Sequence, residues 1–208
     1  MADALIFFTN PMSRGRIVRW MLEETGCAYR TEILGFGSEM KASGYRSINP
    51  MGKVPAILHE GTVVTEAAAI CAYLADAFPN AKLAPPPGDP RRGTYYRWMF
   101  FAAGPVEAAV SNKSLGFEVP ADRQPMVGYG SMEDVLNALE YAVSQSEYIA
   151  GDQFTAADVY VGSQIGWGMM FGTLEKRPAF EAYWNRIGNR PAALKAREKD
   201  DALLPPKA

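Results

Sequence analysis

Pro55 stands near the start of an apolar run that otherwise reads as a buried strand, in the stretch Ile48-Asn49-Pro50-Met51-Gly52-Lys53-Val54-Pro55-Ala56-Ile57-Leu58. A proline there cannot donate a ladder hydrogen bond, so strand pairing stops beside it. The NH and C=O of Val54 are then open to an extended peptide added as a further strand. A cis Val54-Pro55 bond, inexpensive only before proline, would turn both groups outward. Just downstream, His59-Glu60-Gly61-Thr62 reads as a hairpin turn and Thr62-Val63-Val64 as a short strand. Thr65 reads as the N-cap of a helix carrying Ala67-Ala68-Ala69-Ile70 and Tyr73-Leu74. The unpaired NH groups of that helix start can bind an anion, and Glu66 in its first turn can receive an ammonium. These groups suit a small peptide with a free amino-acid end: carboxylate at the helix start, ammonium at Glu66, backbone along Val54.

Asn49-Pro50-Met51-Gly52-Lys53-Val54-Pro55 followed by Thr65-Glu66-Ala67-Ala68-Ala69-Ile70 resembles the glutathione-binding segment of the glutathione transferase family. The spacing from Val-Pro to Glu matches that pattern. The resemblance implies glutathione as co-substrate, held by Lys53, Val54, Pro55, Glu66 and Ala67, with Lys53 on the glycine carboxylate. One departure is Ala67, where the family usually places Ser or Thr to give a hydroxyl to the γ-glutamyl carboxylate. The backbone NH survives, which implies weaker glutathione affinity.

Glutathione chemistry needs a thiolate near neutral pH, whereas a free thiol titrates at ~8.5, so the protein must stabilise the charged sulfur. A hydroxyl at a helix start does so by hydrogen bonding and by the helix dipole. Ser13, just beyond the first strand, is in that place. Its hydroxyl, or a neighbouring backbone NH, is the expected sulfur contact; a plain capping role is the competing one. Asn10 is the second candidate, through its amide. Other family members use Tyr, Ser or Cys near here, but the first strand ends on Phe8 and no cysteine occupies residues 10–15. The electrophile needs an apolar wall, for which Met12, Phe101 and Trp167 are the candidates.

The rest of the chain is read as what positions these groups. Leu5-Ile6-Phe7-Phe8 is a buried strand, and a helix from Ser13 to Gly26 buries Ile17, Val18, Met21 and Leu22. A strand follows over 28–34, then a short helix near 40–43. With the hairpin and a helix ending near Phe78, this order gives a mixed sheet covered by helices, the thioredoxin-like arrangement the resemblance implies. Leu83-Ala84-Pro85-Pro86-Pro87-Gly88 is the clearest linker. The expected domains are 1–78, thioredoxin-like and glutathione-binding, a linker over 79–88, and an all-helical electrophile-binding domain over 89–208.

In the second half Asp89 reads as the N-cap of an aromatic-rich helix that is bent or broken near Gly104-Pro105 and can continue through Val106 to Val110, and the irregular segment over 112–130 is expected to be a loop over a pocket. Helices are expected over 132–144, 179–187 and 192–199. Thr155 and Asp158 read as a capping box with Phe154 as its staple, at the head of another helix. A structural role for Asp158 is therefore expected over a catalytic one.

Composition removes other classes. The 208 residues are 48% hydrophobic and 21% charged, ordinary for a globular protein. A net charge of −2 gives no case for nucleic acid or an anionic membrane. Met1-Ala2-Asp3-Ala4-Leu5 shows no basic leader, and no apolar run approaches the ~20 residues of a membrane span. A cytoplasmic protein is expected. Cys27 and Cys71 form no CxxC pair, and the sole histidine, His59, reads as a turn residue, so neither a redox motif nor a metal site is expected. The reading is a glutathione transferase, which the resemblance implies to be a detoxifying homodimer. A non-catalytic glutathione binder and a glutathione-dependent isomerase or reductase are the alternatives, the reductase disfavoured by the missing cysteine.

Overall fold

The computed structural model describes residues Leu5 to Leu204. Met1 to Ala4, on which the reading of the chain's start rests, lie outside them. Contacts gather the chain into two units: residues up to Leu83 with those from Arg190 onward, and Ala84 to Asn189.

The first unit opens with β1 (Leu5–Thr9), α1 (Gly15–Thr25) and β2 (Tyr29–Ile33). Two single-turn helices follow, α2 (Ser38–Lys41) and α3 (Ser43–Arg46). Then come the hairpin β3 (Ala56–His59) and β4 (Thr62–Thr65), and α4 (Ala67–Ala77). The four strands lie in the order β2-β1-β3-β4. β1 is parallel to β2, antiparallel to β3, and β3 is antiparallel to β4. This is a thioredoxin-like sheet. Ile17, Val18, Met21 and Leu22 are all buried, and Gly26 ends α1 in the left-handed conformation at φ 68. On the sheet, Phe8, Met40, Tyr45 and Ala56 form a core with Ile48, Val54 and Leu58 packed against it.

The chain's last helix, α10 (Pro191–Asp201), closes this unit against α1. It buries Ala193, Ala196 and Asp200, two small residues and a charge. Small side chains let the helices approach, and charges fasten them. Arg19 Nε meets Asp200 Oδ1 at 2.6 Å with both side chains buried. Burial pushes the Asp200 carboxyl up while Arg19 opposes it. Glu23 pairs with Lys199 at 2.5 Å and Lys195 at 2.8 Å, and Glu24 with Arg190 at 2.7 Å. Burial alone would raise Glu23, but hydrogen bonds from Lys195, Lys199 and Tyr29 hold it at about 2.

The second unit is helical: α5 (Arg91–Phe101), α6 (Glu107–Ser114), α7 (Met132–Ser144), α8 (Ala156–Phe171) and α9 (Pro178–Ile187). A wide π turn over Ala102–Val106 joins α5 to α6 and absorbs Pro105. Asp89 Oδ1 accepts from the Arg91 NH at 2.8 Å at the start of α5. The capping box at Thr155 and Asp158 is formed. Asp158 is fully buried and also accepts from the Ile149 NH and the Tyr183 hydroxyl, tying α9 and the preceding turn to the start of α8. No helix among the described residues is long and apolar enough to cross a membrane.

Candidate functional site

The strand register decides which groups can meet. Phe8 pairs with Ala56, and Ala56 with Thr65, so one row runs across β1, β3 and β4. Because β3 runs against both neighbours, the loop leaving β1, the segment entering β3 and the turn leaving β4 all emerge at the same end of the sheet. That brings the Asn10–Ser13 loop, Lys53-Val54-Pro55 and Glu66-Ala67 to one edge.

The middle segment is held from beneath. The Val54-Pro55 bond is cis, and the described pairing of β3 begins only at Ala56, two residues beyond Val54. Tyr45 Oη and Asn49 Nδ2 both donate to the Lys53 carbonyl, at 2.7 and 2.8 Å. Burial pushes the Tyr45 hydroxyl up to about 12, so it stays a donor. Gly52 has φ 55, and a Cβ there would lie 2.4 Å from the Met40 carbonyl, so glycine is required at this turn. Tyr45 and Asn49 escaped the sequence reading as positioning groups, although Asn49 lay within the motif. Lys53 is exposed, Val54 half-buried and Pro55 buried.

At the turn after β4 the structure corrects one expectation. Thr65 is not a helix cap: it is the last residue of β4, paired with Ala56, and α4 begins at Ala67 without a side-chain cap. Glu66 stands between them, outside the first turn, at φ 65 and ψ 117. Positive φ in a non-glycine residue costs of order 1–3 kcal/mol and persists where surrounding structure imposes it, often at binding sites. Its carboxylate is exposed, near the Thr65 hydroxyl at 3.5 Å. Ala67 is buried at the head of α4, where the NH groups of a first helical turn have no intrahelical acceptor.

The loop after β1 is a network of short-range bonds. Asn10 is buried; its Nδ2 donates to the Leu34 carbonyl at 2.8 Å and its Oδ1 accepts from the Met12 NH at 2.9 Å. One amide N–H and the amide oxygen thus tie Asn10 to its own loop and to the residue after β2. Ser13 Oγ donates to the Asn10 carbonyl at 2.7 Å and accepts from the Gly15 NH at 2.9 Å. The Asn10 carbonyl also accepts from the Ser13 NH at 3.1 Å. The Ser13 hydroxyl can therefore turn to a new acceptor without orphaning that carbonyl. Ser13 lies two residues before α1, whose N-cap position is Arg14. Met12 projects outward, 71% exposed. Gly15 is obligatory, since a Cβ would fall 1.8 Å from Thr9 Oγ1.

Phe101 and Trp167 lie in the other unit, both half-buried, Phe101 edge-on to Trp98 at 5.4 Å. Neither lines that unit's cleft of about 380 Å³, which Lys113, Phe117, Tyr129 and Met132 help to wall. In the first unit a cleft of about 470 Å³ touches Leu5 and His59, at the opposite end of the sheet from the edge described above. His59 closes the hairpin opposite Thr62, and its Nδ1 lies 2.9 Å from the Tyr73 hydroxyl. Burial raises both protein thiols, Cys27 and Cys71, above the ordinary value, so neither supplies a thiolate near neutrality.

The chain is similar to known proteins in both of its halves. Residues 12–77 match the glutathione S-transferase N-terminal domain family and residues 126–191 the glutathione S-transferase C-terminal domain family. Glutathione S-transferase GstA of Escherichia coli O157:H7 is 30% identical over 161 residues, covering 76% of this chain and 76% of the relative. Glutathione S-transferase A of Pleuronectes platessa is 30% identical over 184 residues, covering 83% and 81%. Among solved structures, the glutathione transferase URE2P6 of Phanerochaete chrysosporium, in complex with oxidized glutathione, aligns with a TM-score of 0.78 at 26% identity, covering 96% of this chain and 97% of that one.

Proposed function

The chain belongs to the glutathione S-transferase family, and from that premise we propose that it conjugates the thiolate of glutathione to small hydrophobic electrophiles. The observation that supports this most is the shared sheet edge, where an open peptide segment, a carboxylate beside a helix start and a hydroxyl loop converge. In this reading the Val54 backbone pairs with the cysteinyl part of glutathione, Glu66 takes the γ-glutamyl ammonium, the Ala67 NH takes the γ-glutamyl carboxylate, and Lys53 takes the glycine carboxylate. Ser13 Oγ turns from the Asn10 carbonyl to donate to the sulfur. Asn10 then serves by fixing the loop.

The chemistry follows from a sulfur held as its anion. The thiol proton passes to solvent, the thiolate lone pair attacks an electrophilic carbon, and a C–S bond forms. With an aryl halide the halide departs with the bonding electrons; with an enone the carbanion formed is protonated by water. The protein contributes thiolate stabilisation and proximity. Met12 offers an apolar contact to the electrophile. A cytoplasmic homodimer engaged in detoxification accompanies this proposal.

Glu66→Ala tests the binding half. A charge-assisted hydrogen bond is worth about 1.5–3 kcal/mol, so the Kd for glutathione should rise about 10- to 100-fold by calorimetry. Glu66→Gly should bind as weakly yet fold about 1 kcal/mol more stably, because glycine adopts positive φ without strain. Unchanged affinity in both variants would remove Glu66 from the site.

A further inference from the structure

Arg16 joins the hydroxyl loop to the far end of the chain. Its Nε donates to the Pro11 carbonyl at 2.5 Å, and its Nη2 donates to Asp201 Oδ1 at 2.7 Å. Pro11 is buried in the middle of the loop that carries Met12 and Ser13. On the sheet side that loop is anchored by Asn10 on the Leu34 carbonyl. On the other side its brace is Arg16, aimed by the last residue of α10. Asp201 is itself well placed, because the neighbouring Asp200 is locked to Arg19, and Lys195 and Lys199 to Glu23.

We propose that Asp201, acting through Arg16, is a positioning residue for thiolate formation, holding the Pro11–Ser13 backbone where the Ser13 hydroxyl meets the glutathione sulfur. This rests on the proposed role of the Ser13 loop. The carboxylate is 52% exposed and the guanidinium 24%, so the pair contributes little to stability, and its effect is geometric. Catalytic hydrogen bonds are sensitive to such placement, and a loosened donor returns the thiol toward its free value.

The test uses the full-length protein and needs no electrophile: bound glutathione is titrated by its ultraviolet thiolate absorbance, and its Kd is measured calorimetrically below the thiol pKa. Asp201→Ala should raise the apparent pKa of the bound thiol by about half a unit to one unit. The Kd should stay within about twofold and the unfolding midpoint should not move. Asp201→Glu should restore the titration. Arg16→Lys, which puts one ammonium nitrogen in place of the two guanidinium nitrogens that separately reach Pro11 and Asp201, should shift it as Asp201→Ala does. If Ser13→Ala moves the titration and neither Asp201→Ala nor Arg16→Lys does, this inference fails while the Ser13 role stands. If all three leave it unmoved, both fail. A shift in the Asp201 and Arg16 variants without one in Ser13→Ala upholds the brace and transfers the sulfur contact to a backbone NH of the same loop.

Discussion

Replacing Ser13 by alanine is expected to raise the thiol pKa of bound glutathione by about 1–2 units, since a hydrogen bond to a charged group is worth about 1.5–3 kcal/mol. At neutral pH the thiolate fraction, and the conjugation rate with it, should fall about tenfold for each unit. Glutathione affinity should change little below the thiol pKa, because the groups proposed to hold the peptide, at Val54, Lys53 and Glu66, are untouched. The structure explains why the hydroxyl is available: the Asn10 carbonyl it now serves keeps a second donor in the Ser13 NH at 3.1 Å. Ser13→Thr keeps the donor and should retain most of the effect. An unmoved titration in Ser13→Ala would assign the sulfur contact to a backbone NH instead.

The largest effect on stability is expected at Asp158. Its two oxygens accept from the Ile149 NH, the Tyr183 hydroxyl, and the Thr155 NH and hydroxyl. Asp158→Ala strands those donors in the core of the helical unit and should cost about 3–5 kcal/mol, read by urea unfolding. The pH dependence has a definite sign. Burial raises the carboxyl, hydrogen bonds from the same donors offset only part of that, and it is left at about 6. In the unfolded chain it titrates near the usual ~3.9. Between these values the folded protein binds more protons than the unfolded one, so this group's contribution is full below about pH 4 and falls until about pH 6. The stability gap between wild type and Asp158→Asn should therefore narrow by up to about 3 kcal/mol from pH 4 to pH 7. A gap that widens over that range would mean the four hydrogen bonds outweigh burial.

Local signals carried much of this architecture into the sequence. Leu5 to Phe8 formed a continuous apolar run, Gly26 sat where α1 needed a left-handed stop, and Thr155 preceded an aspartate at capping distance. Thr65 misled because threonine is as good a strand residue as a cap, and pairing with Ala56 extended β4 through it. The destination of the last helix was hidden for a different reason. Its inner face is Ala193, Ala196 and Asp200 rather than an apolar stripe, and its partners Arg19, Glu23 and Glu24 lie far back in the chain. At the site, residue types and spacing pointed to Val54, Glu66 and Ser13. What they could not show was that Asn10 gives an amide N–H to Leu34, or that Glu66 would sit at positive φ.

Calorimetric titration of the protein with glutathione, followed on the same sample by thioether formation with aryl halides, epoxides and enones, tests the account most directly. The prediction is saturable binding, weakened by Ala67 but measurable, together with turnover of at least one electrophile class. Binding with no turnover would contradict the transferase reading in favour of a binding protein, and no binding even at millimolar glutathione would contradict the proposed site altogether.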